Sequence, residues 1–353
     1  MAAIDVYLTD VLARKGSDLH FIAGDPARVR QYGDLTALKP EKLEASFVKD
    51  ALYEIMPKAA QDRFEAKDGA DFAYTLADRG RFRVNVMRQL NGMGAVFRAI
   101  PSKALTLDEL KLPESVRGMC RTNAGLILVT GKTGSGKSTT LAAMIDDINH
   151  RVKGHILTIE DPIEFVHQRK SCLISQREIG VHSTSFAHAL HSALREDPDV
   201  ILVGELRDLE TMSIAVTAAE MGILVMGTLH TNGAAQTVDR MVNVFPSDKQ
   251  SHVRTMLSTS LRGVVSQQLL QKADKSGRVA ALEILVNTPA ASNLIRQGKL
   301  DQLENTMQVG GAFGMRTMDT AIQQLLDSRQ ITGKEAFKKA INKSKFEAVR
   351  DQG

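Results

Sequence analysis

The run Leu126-Ile-Leu-Val-Thr130-Gly131-Lys132-Thr133-Gly134-Ser135-Gly136-Lys137-Ser138-Thr139-Thr140 decides the fold. Leu126–Thr130 is a short apolar run of the kind that forms a strand buried on both faces. It passes directly into G-x-x-x-x-G-K-[ST], and Ser138-Thr-Thr-Leu-Ala-Ala-Met-Ile-Asp-Asp-Ile continues with helix-forming spacing. Strand, glycine loop and helix in that order make an anion site. The glycines let backbone N–H groups wrap phosphates, and the helix N-terminus adds partial positive charge. Gly131, Thr133, Gly134, Ser135, Gly136, Lys137, Ser138 and Thr139 are therefore assigned to a bound nucleotide, ATP. Lys137 is expected to reach the β- and γ-phosphates, and the Ser138 hydroxyl to ligate Mg²⁺.

Outward from this loop, further short apolar runs recur at His155–Ile159, Val200–Gly204 and Leu224–Thr228, separated by helix-length segments. That rhythm predicts an α/β fold with buried parallel strands joined by crossover helices. Nucleotide hydrolysis also needs a carboxylate for the metal and a group to orient the attacking water. Val200-Ile-Leu-Val-Gly-Glu205 ends a strand in an acid, which makes Glu205 the candidate metal residue. His155-Ile-Leu-Thr-Ile-Glu160-Asp161-Pro162-Ile163-Glu164 ends another in three acids. Pro162 bends the chain there, and Glu164 is the candidate water activator, with Glu160 and Asp161 open between positioning and metal contact. His230 closes the strand-like Gly222–Leu229 at a sheet edge where ligands bind in such folds.

Residues 1–100 read as a separate small α/β domain. Phe82–Val86 alternates like a half-buried strand and pairs with Ala95–Arg98 across an Asn91-Gly92 turn, while Glu41–Met56 carries helical spacing. Residues 101–115, with a proline near each end, are expected to be a linker and hinge. Residues 116–288 form the nucleotide-binding core. Residues 289–353 read as a helical region, with apolar positions at Met318, Ile322, Leu325 and Leu326.

Length and composition set the outer bounds. The 353 residues fit two domains, and 43% hydrophobic with 24% charged residues excludes a disordered or fibrous chain. A net charge of +4 and 5% aromatic residues without Trp give no signature of backbone tracking or base stacking, so no nucleic-acid partner is expected. Cys120 and Cys172, the two cysteines, support neither a disulfide framework nor a zinc site and fit a reducing, cytoplasmic compartment. The N-terminus lacks a signal-peptide pattern, and no apolar run approaches the ~20 residues needed to span a bilayer. Any membrane association is expected to be peripheral.

Four boxes carry a family resemblance. Gly131–Thr140, Thr158-Ile-Glu-Asp-Pro-Ile-Glu164, Asp199-Val-Ile-Leu-Val-Gly-Glu-Leu-Arg-Asp208 and Gly227-Thr-Leu-His-Thr-Asn232 resemble, in order, the Walker A, Asp, Walker B and His boxes of the type II/IV secretion ATPase superfamily. Within it the chain is similar to the type IV pilus retraction ATPases. The likeness extends from Ser17-Asp-Leu-His20 through Arg81-Phe-Arg-Val-Asn85 and Val96–Lys103 to Asn293-Leu-Ile-Arg296 and Gly314–Asp319, nearly the whole chain. The resemblance implies a PAS-like N-terminal domain, a RecA-like ATPase domain and a homo-hexamer peripheral to the cytoplasmic face of the inner membrane. It also implies an inner-membrane pilus platform protein as partner, and a paralogous retraction ATPase as a further one. It places Arg83 and Arg98 near the γ-phosphate, and Arg195 also faces the phosphates. Pilus-assembly and secretion relatives are alternatives, but they are longer at the N-terminus and often carry a tetracysteine zinc insert, which two separated cysteines cannot build.

Three positions depart from the family pattern. Lys132 stands where proline is usual, Ile223 replaces the first histidine of the T-G-H-L-V stretch, and His191 replaces an arginine four residues before Arg195. Histidine carries a positive charge only when protonated, whereas arginine always does. Turnover is therefore expected to be weaker or more pH-dependent than with Arg, and an accessory, poorly hydrolysing paralogue is a further alternative. A His191→Arg chain should show a flatter ATPase profile between about pH 6 and 8; a profile identical to the parent's would remove this role for His191.

Overall fold

The computed structural model describes residues 2–31, 34–77, 79–100 and 104–352. These fall into two compact units. One gathers the residues up to Ile100 with Pro162–Val166, and the other holds the rest from Ala104 onward.

The first unit is built on six strands: β1 Asp18–Ile22, β2 Pro26–Gln31, β3 Asp34–Lys42, β4 Gly69–Leu76, β5 Gly80–Gln89 and β6 Gly92–Ile100. They form an antiparallel sheet in the order β3-β2-β1-β6-β5-β4. Period-two alternation puts Leu19, Phe21, Phe82, Val84, Val86 and Phe97 on one face. There they bury against Val48 and Leu52 of the helix Ala45–Ile55 and Phe64 of the helix Lys58–Lys67. Two local expectations shift by a few residues. The helix expected from Glu41 starts at Ala45, because Glu41 and Lys42 complete β3, where Lys42 pairs with Pro26. The β5–β6 hairpin turns through Leu90 and Asn91, with Gln89 opposite Gly92 and the glycine at φ +122° opening β6.

The second unit contains β7 Gly125–Thr130, β8 His155–Glu160, β9 Leu173–Glu178, β10 Val200–Val203, β11 Leu224–Leu229, β12 Leu261–Gln271 and β13 Arg278–Val286. The sheet order is β13-β12-β7-β11-β10-β8-β9, parallel except for β13. The protein is thus α/β with an antiparallel and a mixed sheet. The central strands β7, β10 and β11 are buried along their whole length, as a parallel sheet covered on both faces requires. One layer packs Leu126, Ile201 and Val225 against Leu190, Met212 and Val216, and the other packs Ile127 and Met226 against Met144, Ile145 and Ile148.

Sequence rhythm missed β9, β12 and β13. β9 is an edge strand of largely polar, half-exposed residues, and β12 follows the helix Ser247–Ser260 without an intervening loop. The expected linker is also shorter than 101–115. Residues 101–103 lie outside the described residues, while Leu107, 3% exposed, and Val116, Met119 and Cys120 of the helix Glu114–Cys120 join the core around Ile127 and Val129. Leu107 and the helix Glu114–Cys120 thus belong to the packed core of the second unit. Pro162–Val166, placed in the core domain by sequence, groups with the first unit. From Pro289 the chain is helical, over Pro289–Gln297, Leu303–Val309, Met318–Asp327 and Gly333–Lys339, with 3₁₀ turns and one β-bridge from Arg316 to Ile284.

Candidate functional site

Thr130 ends β7, and the next six residues form the loop before the helix Lys137–Arg151. Gly131, Gly134 and Gly136 have φ of +138°, +77° and +90°, a region closed to most side chains. At Gly131 space is closed as well: a Cβ would sit 2.3 Å from the Gln267 carbonyl oxygen and 2.7 Å from Ser135 Oγ. Gly136 is the N-cap, and no side chain caps the helix, so its first N–H groups open into the loop. The Lys137 ammonium donates to the carbonyl oxygens of Gly131 at 2.9 Å and Lys132 at 3.3 Å, curling back over the loop that precedes it. Ser138 and Thr139 lie half-buried in the first helical turn. The buried Ser135 hydroxyl has no hydrogen-bond partner among the described residues. A glycine loop at an uncapped helix N-terminus, a lysine and an orphaned hydroxyl fit polyphosphate.

Glu205 and His230 follow β10 and β11; β11 pairs in parallel with β7 and β10 in parallel with β11, so all three loops leave the same carboxyl edge. Glu205 Oε1 is 3.3 Å from His230 Nε2, and Glu205 Oε2 is 2.7 Å from the Arg207 guanidinium. Partial burial pushes the Glu205 carboxyl upward, but the hydrogen bonds and charges of Arg207 and His230 outweigh it and hold the group below the usual carboxylate range. Glu205 is therefore an anion, as a metal ligand must be. Thr228 ties the two strand ends together by donating to the Gly204 carbonyl. Thr237, in the helix Ala234–Asn243, contacts Thr231 at 2.8 Å and Thr130 at 3.4 Å, which links the His230 loop to the end of β7.

Of the other acids, Glu160 is buried and accepts from Thr158 Oγ1 at 2.7 Å and Gln176 Nε2 at 3.2 Å. Asp161 is exposed, and Glu164 is half-buried in the segment that groups with the first unit. Arg83 and Arg98 are directly paired across β5 and β6 on the exposed face of the first sheet. The Arg98 guanidinium is also held at 2.9 Å by Asp18, a carboxylate buried at the start of β1. Arg195 is exposed just beyond the helix Phe186–Ala193, on which His191 occupies the last turn. No helix among the described residues is long and apolar enough to cross a membrane.

Sequence reading missed Arg207, although its spacing of two from Glu205 could have suggested it. It also missed Gln267, Ser266 and Glu283, whose strands it did not recognise.

The chain is 49% identical to "Type IV pilus retractation ATPase PilT" of Pseudomonas aeruginosa over 94% of its length and 98% of the relative's. It is 40% identical to "Type IV pilus ATPase PilU" of the same organism, covering 93% and 86% of the two chains. Among solved structures it is similar to "Crystal Structure of the Pilus Retraction Motor PilT and Bound ADP", with a TM-score of 0.91, 41% identity and 99% of both chains covered. The profile of the family described as "Type II/IV secretion system protein" matches residues 1–329, and the chain belongs to that family.

Proposed function

We propose that this chain is an ATP-hydrolysing motor that drives type IV pilus retraction and twitching motility. The observation that carries this reading is the glycine loop of β7 at the sheet edge it shares with the Glu205–His230 pair, in a chain similar over nearly its full length to PilT.

In this reading the N–H groups of the Gly131–Lys137 loop and the Lys137 ammonium receive the β- and γ-phosphates, and Ser138 and Glu205 hold Mg²⁺. When bound, that ion neutralises charge developing on the transferred phosphoryl group. His230 fixes Glu205 from one side and Arg207 from the other. Glu164 orients the attacking water, and Arg83, Arg98 and Arg195 supply positive charge to the phosphates. The antiparallel first unit serves as a PAS-like domain and the second as a RecA-like ATPase domain closed by its C-terminal helices. The working assembly is a homo-hexamer peripheral to the inner membrane, acting on a platform protein alone or with a paralogous ATPase.

The experiment is Mg²⁺-dependent ATP hydrolysis by the purified chain. Steady turnover without nucleic-acid stimulation is expected. Negligible turnover would favour the accessory role, and stimulation by DNA would favour a nucleic-acid motor.

The charge arrangement gives a pH prediction. Arg207→Ala removes the nearest positive charge from Glu205, so the carboxyl pKa rises and the acidic limb of kcat/KM moves to higher pH. An unmoved limb would remove Glu205 from the rate. The same pairing stabilises the fold above the usual carboxylate range, and that contribution fades as pH falls through the lowered Glu205 pKa.

A further inference from the structure

The phosphate loop is held from the side by a strand that contributes no motif. β12 runs parallel to β7 with Ser266 opposite Thr130, so Gln267 stands beside the first residue of the loop. Its side chain is buried, 3% exposed, and uses both ends of its amide. Nε2 donates to the Ser135 carbonyl at 2.5 Å, and Oε1 accepts from the Thr140 hydroxyl at 2.8 Å. A Cβ at Gly136 would come within 2.7 Å of the same Nε2, and a Cβ at Gly131 within 2.3 Å of the Gln267 carbonyl oxygen. One residue therefore touches the loop at its entry, near its end and in the first turn of its helix. The preceding residue faces the opposite side of the strand, where Ser266 Oγ accepts from Gly233 N at 2.9 Å in the loop that follows His230.

We infer that Gln267 is a positioning residue that holds the loop in its phosphate-receiving form. The Ser135 carbonyl needs a donor and the Thr140 hydroxyl an acceptor, and a primary amide supplies both in one planar group. Holding the Ser135 carbonyl to the strand fixes its direction and keeps it from turning toward a bound anion. Without the clamp, the free carbonyl can rotate toward the anion, and the loop must be ordered at the moment of binding.

The inference rests on the nucleotide-binding reading, and the experiment separates the two. ADP with Mg²⁺ is titrated into the full-length parent, Gln267→Met and Gln267→Glu, and nucleotide-free thermal unfolding is measured in parallel. Failure of the parent to bind ADP would overturn the nucleotide reading itself. With the parent binding, Gln267→Met keeps the volume and loses both bonds, and its Kd is expected to rise roughly thirtyfold, at about 1 kcal/mol per bond. Kd within twofold of the parent, whatever the unfolding temperature, would overturn the inference.

Gln267→Glu gives a readout that general destabilisation cannot mimic. The ionised carboxylate accepts from Thr140 but faces the Ser135 carbonyl, so binding should weaken at neutral pH. Burial raises the pKa of such a carboxyl, and the protonated form donates to Ser135 again. Affinity relative to the parent at the same pH should therefore recover between about pH 7.5 and 5.5. Equal loss at both ends of that range would overturn the inference. This comparison stands by itself if Gln267→Met does not fold.

Discussion

A Lys137→Ala chain is expected to fold and to hydrolyse ATP at least ~10²-fold more slowly than the parent, the scale on which removing one preorganised charge-stabilising donor acts. The lysine carries the loop's only side-chain ammonium besides Lys132, and of the two it alone reaches back over the loop, to the Gly131 and Lys132 carbonyls. Those contacts place the charge where the phosphates enter. Alanine removes the charge and leaves the helix start and the sheet intact. Because the lysine is only half-buried, the cost to the fold is about 1 kcal/mol or less. The check is turnover together with thermal unfolding: lost turnover with an unfolding temperature close to the parent's is the expected pair. Retained turnover would remove Lys137 from the reaction.

Glu283→Ala is expected to act in the opposite way, on stability first. Glu283 sits on β13 opposite Ser266 and is 5% exposed. Its Oε1 accepts from Ala234 N at 2.7 Å and its Oε2 from Met318 N at 3.1 Å, so one carboxylate receives the first N–H groups of two helices. Burial pushes the Glu283 pKa up, and the two N–H bonds pull against that shift. Truncation leaves two buried donors without an acceptor, at roughly 1–3 kcal/mol each. For a unit of this size that lowers Tm by roughly 5–15 °C. One of the released helices, Ala234–Asn243, follows the His230 loop, and the other, Met318–Asp327, begins the last part of the chain. Asp319 in the second helix accepts from the N–H groups of Ile341 and Asn342, so the loosened region extends toward the C-terminus. Glu283→Gln keeps one acceptor and should fall between the parent and Glu283→Ala. An alanine variant that melts with the parent would show that water replaces the carboxylate at both helix ends.

The two replacements divide the site along the line that separates what the sequence discloses from what it hides. The glycine loop, Glu205 and His230 were legible because their chemistry is local. Each follows a short apolar run, and a parallel sheet brings the ends of such runs to one edge. Gln267, Ser266 and Glu283 were not legible, because their roles arise from strand pairing. Gln267 lies more than a hundred residues from Ser135, and only the registers of β12 with β7 and β13 carry it to the loop. The sequence around them, Leu261-Arg-Gly-Val-Val-Ser-Gln-Gln-Leu-Leu-Gln271, mixes apolar and amide residues without clean alternation, since β12 is buried on both faces for most of its length. In the first unit, alternation in β5 and β6 was plain because one face is solvated. The start of the helix Ala45–Ile55 was obscured by Glu41 and Lys42, which suit a helix but complete a strand.

In the proposed mechanism, ATP hydrolysis at the Gly131–Ser138 loop drives pilus retraction. This is tested most directly by deleting the gene and complementing with the parent chain or with Lys137→Ala, scoring surface pili and twitching. The parent chain should restore both retraction and twitching. Lys137→Ala should leave cells with excess, non-retracting pili and no twitching. Loss of surface pili in the Lys137→Ala strain would contradict retraction and assign the motor to assembly.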